Sequence, residues 1–275
     1  MTINQTRDTD QQTNLVLPGF IITPDWLMAH LDHPTLRLLD VRTAEQYHEG
    51  HLPGAVQVDL PELSGEVNGV PGMLLPPDAF AAQMSAYGVD SSKTVVLYDD
   101  NWGMPAARVL WALARYGHTK AAVLTGGWDR WQEEGRPQSS EPVQPPPAPF
   151  QVRPVDEHLA ERMWIEQHLH HPTVMLIDTR TPGEYAQGHL PGALNWDWMN
   201  AVPATGWDLM KPADELRATL ESIGATPEKE IVTYCRSGAR AAHTYLVLRV
   251  LGYPRVRNYD GSWLEWSYYT KGASH

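Results

Sequence analysis

The sequence predicts an α/β protein made of two tandem copies of one unit, each a mainly parallel sheet with helices on both faces. Three observations predict this. Strand-like and helix-like runs alternate along the chain, which implies parallel strands joined by helical crossovers. The unit occurs twice. Trp26, His33–Arg42 and Gly50–Ala55 return at one constant spacing as Trp164, His171–Arg180 and Gly188–Ala193. Gly126–Trp131 returns, slightly closer, as Gly261–Trp266. Between the copies lies a stretch rich in proline, with Pro142, Pro145, Pro146, Pro147 and Pro149. Such a run is extended and stiff, and it is expected outside any sheet. The expected organisation is a disordered polar tail over 1–16, a first unit over 17–134, a linker over 135–150 and a second unit over 151–275.

The elements of the first unit read in order. Leu36–Asp40 is a short apolar strand, and Ala44–Glu49 a short helix ended by Gly50. Ala55–Val58 is a strand. Pro77–Tyr87 is a helix with proline in its first turn, where the missing N–H is no loss, and Gly88 just past its end. Thr94–Tyr98 is β-branched and aromatic but for Leu97, as suits a buried strand. Ala106–Tyr116 is a helix ended by Gly117, Ala122–Leu124 a strand and Trp128–Glu134 a helix. In the second unit Ile231–Tyr234 is the strand that answers Thr94–Tyr98, and the helix after it runs over Ala241–Leu251 and stops at Gly252.

Composition narrows the function. The chain has 275 residues and 42% hydrophobic content, enough for two cores. Its formal net charge is -12, which argues against nucleic acid or an anionic membrane as partner. One cysteine forbids an internal disulfide, and no Cys/His spacing predicts a zinc site, so neither metal nor cofactor is expected. The start carries no apolar signal-peptide core and no run approaches membrane-spanning length, so the expected location is cytoplasmic.

The lone thiol stands at the most informative place. Cys235 lies between the end of a predicted strand and the start of a predicted helix, where α/β proteins hold their ligands. The helix start offers unpaired N–H groups, and Arg236 and Arg240 add positive charge. These features favour thiolate over thiol and would hold a small anion beside it. The duplication serves as a control. Cys235 aligns with Asp99, whose loop Asp99–Pro105 has no thiol, no arginine and one residue more. The first unit is therefore expected to be non-catalytic and to supply one wall of a cleft. Trp102 and Met104 either line that wall or pack the domain interface. His51 and His189 occur in both units and read as structural, as do Trp128, Trp131, Trp263 and Trp266. Arg180 follows a strand end near Cys235, yet Arg42 repeats it in the other unit; it fits an ion pair, a substrate contact or both.

These residues resemble the two-domain rhodanese family of sulfurtransferases. The likeness covers about residues 18 to 270: the Asp-x-Arg strand ends, both Gly-His-Leu-Pro-Gly-Ala turns, the Gly-Ser-Trp at 261–263, the linker, the acidic loop at Asp99 and the loop Cys235–Arg240. The resemblance implies two tandem rhodanese-like domains and a cysteine, here Cys235, that carries sulfur as a persulfide. It implies that Arg180 contacts the donor and that the N–H groups of Arg236, Ser237, Gly238, Ala239 and Arg240 cradle the sulfur. The donor would be a small anion and the acceptor cyanide or a thiol. Ser237 stands where animal-type thiosulfate enzymes have lysine, and Arg236 where mercaptopyruvate enzymes have glycine. Two arginines suit thiosulfate, a compact dianion, with 3-mercaptopyruvate the alternative. Two other readings remain. One is a phosphatase, although Cys-x4-Arg is one residue shorter than the phosphate-binding loop. The other is a sulfur carrier or binding module that does not turn over.

Overall fold

The computed structural model describes residues 15–272. The first unit comprises β1 (Ile21–Ile22), α1 (Pro24–His30), β2 (Leu36–Asp40), α2 (Ala44–Glu49), β3 (Val56–Gln57), β4 (Ser64–Val67), β5 (Val70–Leu74), α3 (Pro77–Ala86), β6 (Thr94–Tyr98), α4 (Met104–Arg115), β7 (Ala121–Leu124) and α5 (Gly127–Glu133). The second comprises β8 (Leu159–Ala160), α6 (Arg162–His168), β9 (Val174–Asp178), α7 (Pro182–Ala186), β10 (Leu194–Asn195), α8 (Ala213–Ser222), β11 (Glu230–Tyr234), α9 (Ala239–Val250), β12 (Val256–Tyr259) and α10 (Ser262–Gly272). The sheets run β1-β7-β6-β2-β3 and β10-β9-β11-β12-β8, one the reverse listing of the other, with every pair parallel. The α/β fold and its duplication are as the sequence predicts.

The middle strands explain their own composition. All five residues of β6 are buried, as are Ile231–Tyr234 of β11, because helices cover both faces. α4 buries Ala106–Leu113 without a break, and α9 buries Ala241–Leu248. A helix buried along its whole middle, even at Arg108 and His243, is one packed on all sides. Each of these two lies between its own sheet and the other, so one apolar cluster runs through both units, from Leu39 and Leu110 to Met175 and Leu246.

Several boundaries differ from expectation. α4 and α9 begin two residues early, at Met104 and Ala239, because Gly103 and Gly238 take φ of 75° and 83° and turn the chain straight into the helix. The antiparallel hairpin β4–β5 was not foreseen; among the described residues it has no counterpart in the second unit. The expected tail over 1–16 falls outside the described residues as far as Asn14. Leu15 is buried, and its carbonyl accepts the Thr94 hydroxyl at 3.0 Å. The linker does pair once: Ser139 and His51 exchange backbone hydrogen bonds of 2.8 and 2.9 Å. Beyond that bridge it straps the first unit. His51 Nε2 faces the Glu141 carbonyl at 3.1 Å, the Val143 N–H donates to the Tyr47 hydroxyl at 3.0 Å, and Phe150 sinks against Phe80.

Candidate active site

Cys235 follows β11 directly and is 1% exposed. Its N–H donates to Ser262 Oγ at 3.1 Å, and its carbonyl accepts from the Trp263 N–H at 3.0 Å. Ser262 sits at φ 51°, in the left-handed region that a serine seldom adopts. The corresponding residue of the first unit is Gly127, also left-handed at φ 49°, where a Cβ would collide with the Asp99 carbonyl. The second unit thus accepts backbone strain in exchange for a hydroxyl that anchors the cysteine.

The loop beyond the thiol is a ring of donors. Among the described residues, the N–H groups of Arg236, Ser237, Gly238, Ala239 and Arg240 donate to no protein oxygen. The first unit shows where such groups point. There Asp99 is 2% exposed, its Oδ1 accepting from Asn101 and Gly103 at 2.8 and 2.9 Å and its Oδ2 from Ala106 at 2.9 Å. Burial pushes its carboxyl up to about 6, against three N–H donors that favour the charge. The first unit fills its own anion cradle, and the second presents the matching turn, one residue shorter, with a thiol at its edge.

The arginines fall into three situations. Arg236 is exposed on the loop. Arg240 is clamped by Glu184, with Nη1 2.7 Å from Oε2 and Nη2 2.8 Å from Oε1. Those bonds hold the Glu184 carboxyl down at about 2. They also raise the Arg240 guanidinium, and the neighbouring Cys235 sulfur adds to the rise. Arg180 is 3% exposed: its Nε lies 2.9 and 3.1 Å from the Asp178 oxygens, its Nη2 reaches Asp178 Oδ2 and the Gly188 carbonyl at 2.6 Å each, and its plane covers Trp263. Arg42 repeats every one of these contacts with Asp40, Gly50 and Trp128. The expectation of a donor contact at Arg180 thus meets a guanidinium already engaged, as in the unit without a thiol. His51 and His189 stack on Tyr47 and Tyr185 with ring centroids 3.9 Å apart, in line with structural duty.

The wall supplied by the first unit is not the Asp99 loop. Trp102 instead lines a cavity of about 170 Å³ with Asp99, Asp100, Asp129 and Trp207, at the first unit's own sheet edge. The hairpin approaches the cysteine loop: a Cβ on Gly72 would lie 3.7 Å from Ser237 Cβ. Beside it, a cavity of about 450 Å³ between the units is lined by Met73, Trp111, Tyr259, Asp260 and Glu265 but not by Cys235. Glu184, Ser262 and the hairpin escaped the sequence reading. Ser262 had a signal, since it replaces a glycine of the repeat; Glu184 had none, being remote from Arg240 in the chain. Among the described residues no three metal-ligating side chains gather to hold an ion, and no helix is long and apolar enough to cross a membrane.

The family model of the rhodanese-like domain matches twice, over residues 23–134 and 161–268. The chain belongs to the rhodanese family. A sulfur carrier protein of Thermus thermophilus is 36% identical to this rhodanese, over 90% of this chain and 94% of its own length. A thiosulfate sulfurtransferase of Azotobacter vinelandii is 35% identical, covering 90% and 93%. A 3-mercaptopyruvate sulfurtransferase of Escherichia coli is 31% identical, covering 90% and 94%. The crystal structure of an Escherichia coli 3-mercaptopyruvate sulfotransferase superposes on the rhodanese with a TM-score of 0.82, across 89% of this chain and 99% of that one.

Proposed function

We propose that this protein is a sulfurtransferase that moves a sulfane sulfur from thiosulfate to cyanide or a thiol through a persulfide on Cys235. One observation carries the reading: the thiol borders a loop of N–H groups without protein acceptors, while the duplicate loop closes the same donors on its own Asp99 carboxylate. The Cys235 thiolate attacks the outer sulfur of thiosulfate. A sulfur–sulfur bond forms at Cys235 as the one to the sulfonate sulfur breaks, and sulfite departs with the electron pair. The persulfide, still an anion, lies among the N–H groups of Arg236, Ser237, Gly238, Ala239 and Arg240. Cyanide or a thiolate then attacks its outer sulfur and restores the Cys235 thiolate. No external oxidant enters, and the two half-reactions make a ping-pong cycle. Donors set in place before reaction stabilise the moving charge without reorganising. Arg236 draws the anionic donor in, Arg240 faces the sulfur, and Arg180 holds the strand end rather than the substrate.

The clamp on Arg240 favours a second reading. Glu184 neutralises one of the two loop arginines, leaving a single net positive charge, which suits the monoanion 3-mercaptopyruvate better than two free arginines would. Intact mass after incubation with each donor decides. A gain of one sulfur that cyanide removes supports the persulfide, and the faster-loading donor names the activity. Loading without turnover to cyanide or small thiols moves the protein to the carrier class, to which its Thermus relative belongs by name. No gain from either donor defeats the proposal.

A further inference from the structure

The two units meet through corresponding positions used twice, once with charges and once without. Beside the cysteine loop, Arg108 of α4 places Nη2 2.5 Å from Asp260 Oδ1, and Asp260 Oδ2 accepts the Leu74 N–H at 2.7 Å. Both side chains are about 5% exposed, and both contacts cross from the first unit to the second. In the repeat, the positions matching Arg108 and Asp260 are His243 and Thr125, and Leu209, one place before the residue that matches Leu74, takes its part. They make their own contacts between the units beside the Asp99 loop, His243 with a backbone carbonyl rather than with Thr125. His243 Nε2 donates to the Trp102 carbonyl at 3.1 Å, and the Leu209 N–H donates to Thr125 Oγ1 at 2.9 Å. Docking is therefore achieved on one side by a neutral set and on the other by a buried ion pair.

A buried ion pair is a poor means of stabilising an interface, since desolvation consumes most of the attraction. Its presence on one side alone asks for a reason local to that side. A Cβ on Gly238 would lie 2.8 Å from Arg108 Nη1, 3.0 Å from the Asp260 carbonyl oxygen and 3.1 Å from Asp260 Oδ1. The pair thus sits directly against the residue at which the cysteine loop turns into α9. Arg108 Nη1 is buried there and has no acceptor among the described residues, while the guanidinium is backed by the Trp111 ring at 4.7 Å. The Gly238 carbonyl is held from its other side, by Asn258 Nδ2 at 3.2 Å and the Ala242 N–H at 3.0 Å. Under the other loop, a Cβ on Gly103 would meet only apolar carbon, Leu209 Cδ1 and Val123 Cγ1 among the nearest atoms.

We infer that Arg108 is a positioning residue, lent by the unit without a thiol to the cysteine loop of the other. Its ion pair with Asp260 fixes Gly238, and with it the direction in which the loop N–H groups face the sulfur. The inference rests on the Cys235 reading above. It gives the first unit a part in sulfur transfer: donors aimed at a developing charge act only if held in place before it develops.

The test transplants the neutral set. The double variant Arg108→His/Asp260→Thr carries the residues found at the matching positions on the other side, where both are buried, so it is expected to fold. Loading of Cys235 is followed in single turnovers by intact mass over a range of thiosulfate concentrations. The expected result is a maximal rate at least about tenfold lower, with half-saturation changed less than about twofold and an unchanged melting temperature. Arg108→Lys keeps the charge and is expected to recover most of the rate that Arg108→Gln loses. Wild-type loading in the double variant, or equal rates in the lysine and glutamine variants, overturns the inference. If the double variant does not fold, the lysine and glutamine pair decides alone. Wild-type protein that takes up no sulfur overturns the Cys235 reading and this inference with it; normal wild-type loading beside undiminished loading in the variants overturns this inference alone.

Discussion

The loops after β6 and β11 are one backbone device put to two uses. Each leaves a buried strand, crosses a left-handed glycine and enters a long buried helix. In the first unit the leading residue is Asp99, and its carboxylate gathers the loop's own N–H groups at 2.8–2.9 Å. In the second it is Cys235, and the corresponding N–H groups have no protein acceptor. An anion cradle becomes inert once it closes on its own side chain, and functional once the leading atom is a nucleophile that can bring an anion in. The fold sets the donors; one side chain decides whether they are available.

The largest effect tests the open loop. Cys235→Ser is expected to abolish sulfur loading and leave the fold intact, because an alcohol at this position has neither the acidity nor the nucleophilicity of a thiol. Intact mass and a melting curve read both at once, and loading in the variant would remove Cys235 from the mechanism. Next come the paired arginines. Arg180→Met and Arg42→Met each strand a buried aspartate, Asp178 or Asp40, at a cost of about 3–5 kcal/mol. Chemical denaturation should show the two losses alike, with the rate per folded Arg180→Met molecule near wild type. A rate loss confined to Arg180→Met would return that residue to the donor site.

Asp99→Ala tests the closed loop. Three N–H groups, two of them buried, lose their acceptor, with an expected loss of about 3 kcal/mol and unchanged transfer at Cys235. A stability equal to wild type would show that the carboxylate does not hold the loop. The neutral side of the interface responds to acid. Burial pushes His243 down to about 4 from an ordinary value of 6.5, partly opposed by the Trp102 and Leu209 carbonyls. The unfolded chain therefore binds a proton there that the folded chain refuses. Its contribution is complete above about pH 6.5 and is lost as pH falls toward 4, amounting to about 2 kcal/mol between pH 7 and pH 5. Melting at the two pH values should show the loss in wild type and a smaller one in His243→Gln; equal slopes would refute it. The smallest expected effect is on donor choice. Glu184→Gln frees Arg240 and should shift the ratio of thiosulfate to 3-mercaptopyruvate loading rates about fivefold toward thiosulfate, near 1 kcal/mol. An unchanged ratio would mean that the clamp does not set specificity.

Much of this molecule is legible in its sequence. The β-branched run Thr94–Tyr98, the glycines that close helices and the repeated Gly-His-Leu-Pro-Gly-Ala turn each state a local conformation, because backbone sterics and burial period act over a few neighbours. The duplication then set shared architecture apart from the solitary thiol, and His51, His189 and the tryptophan pairs fell on the shared side. The same comparison left Arg180 open, and only the engaged guanidinium shows how closely it copies Arg42. Other features follow from how the two units dock. The hairpin β4–β5 reaches Ser237, Trp102 lines a cavity with Trp207 of the second unit, and Arg108 comes to lie against Gly238, while within the second unit Glu184 closes on Arg240. These partners are far apart in the chain, and no spacing encodes them. Local pattern specifies which face of an element is buried, but long-range packing selects which charged side chains meet there, and that selection surrounds Cys235 with its electrostatics.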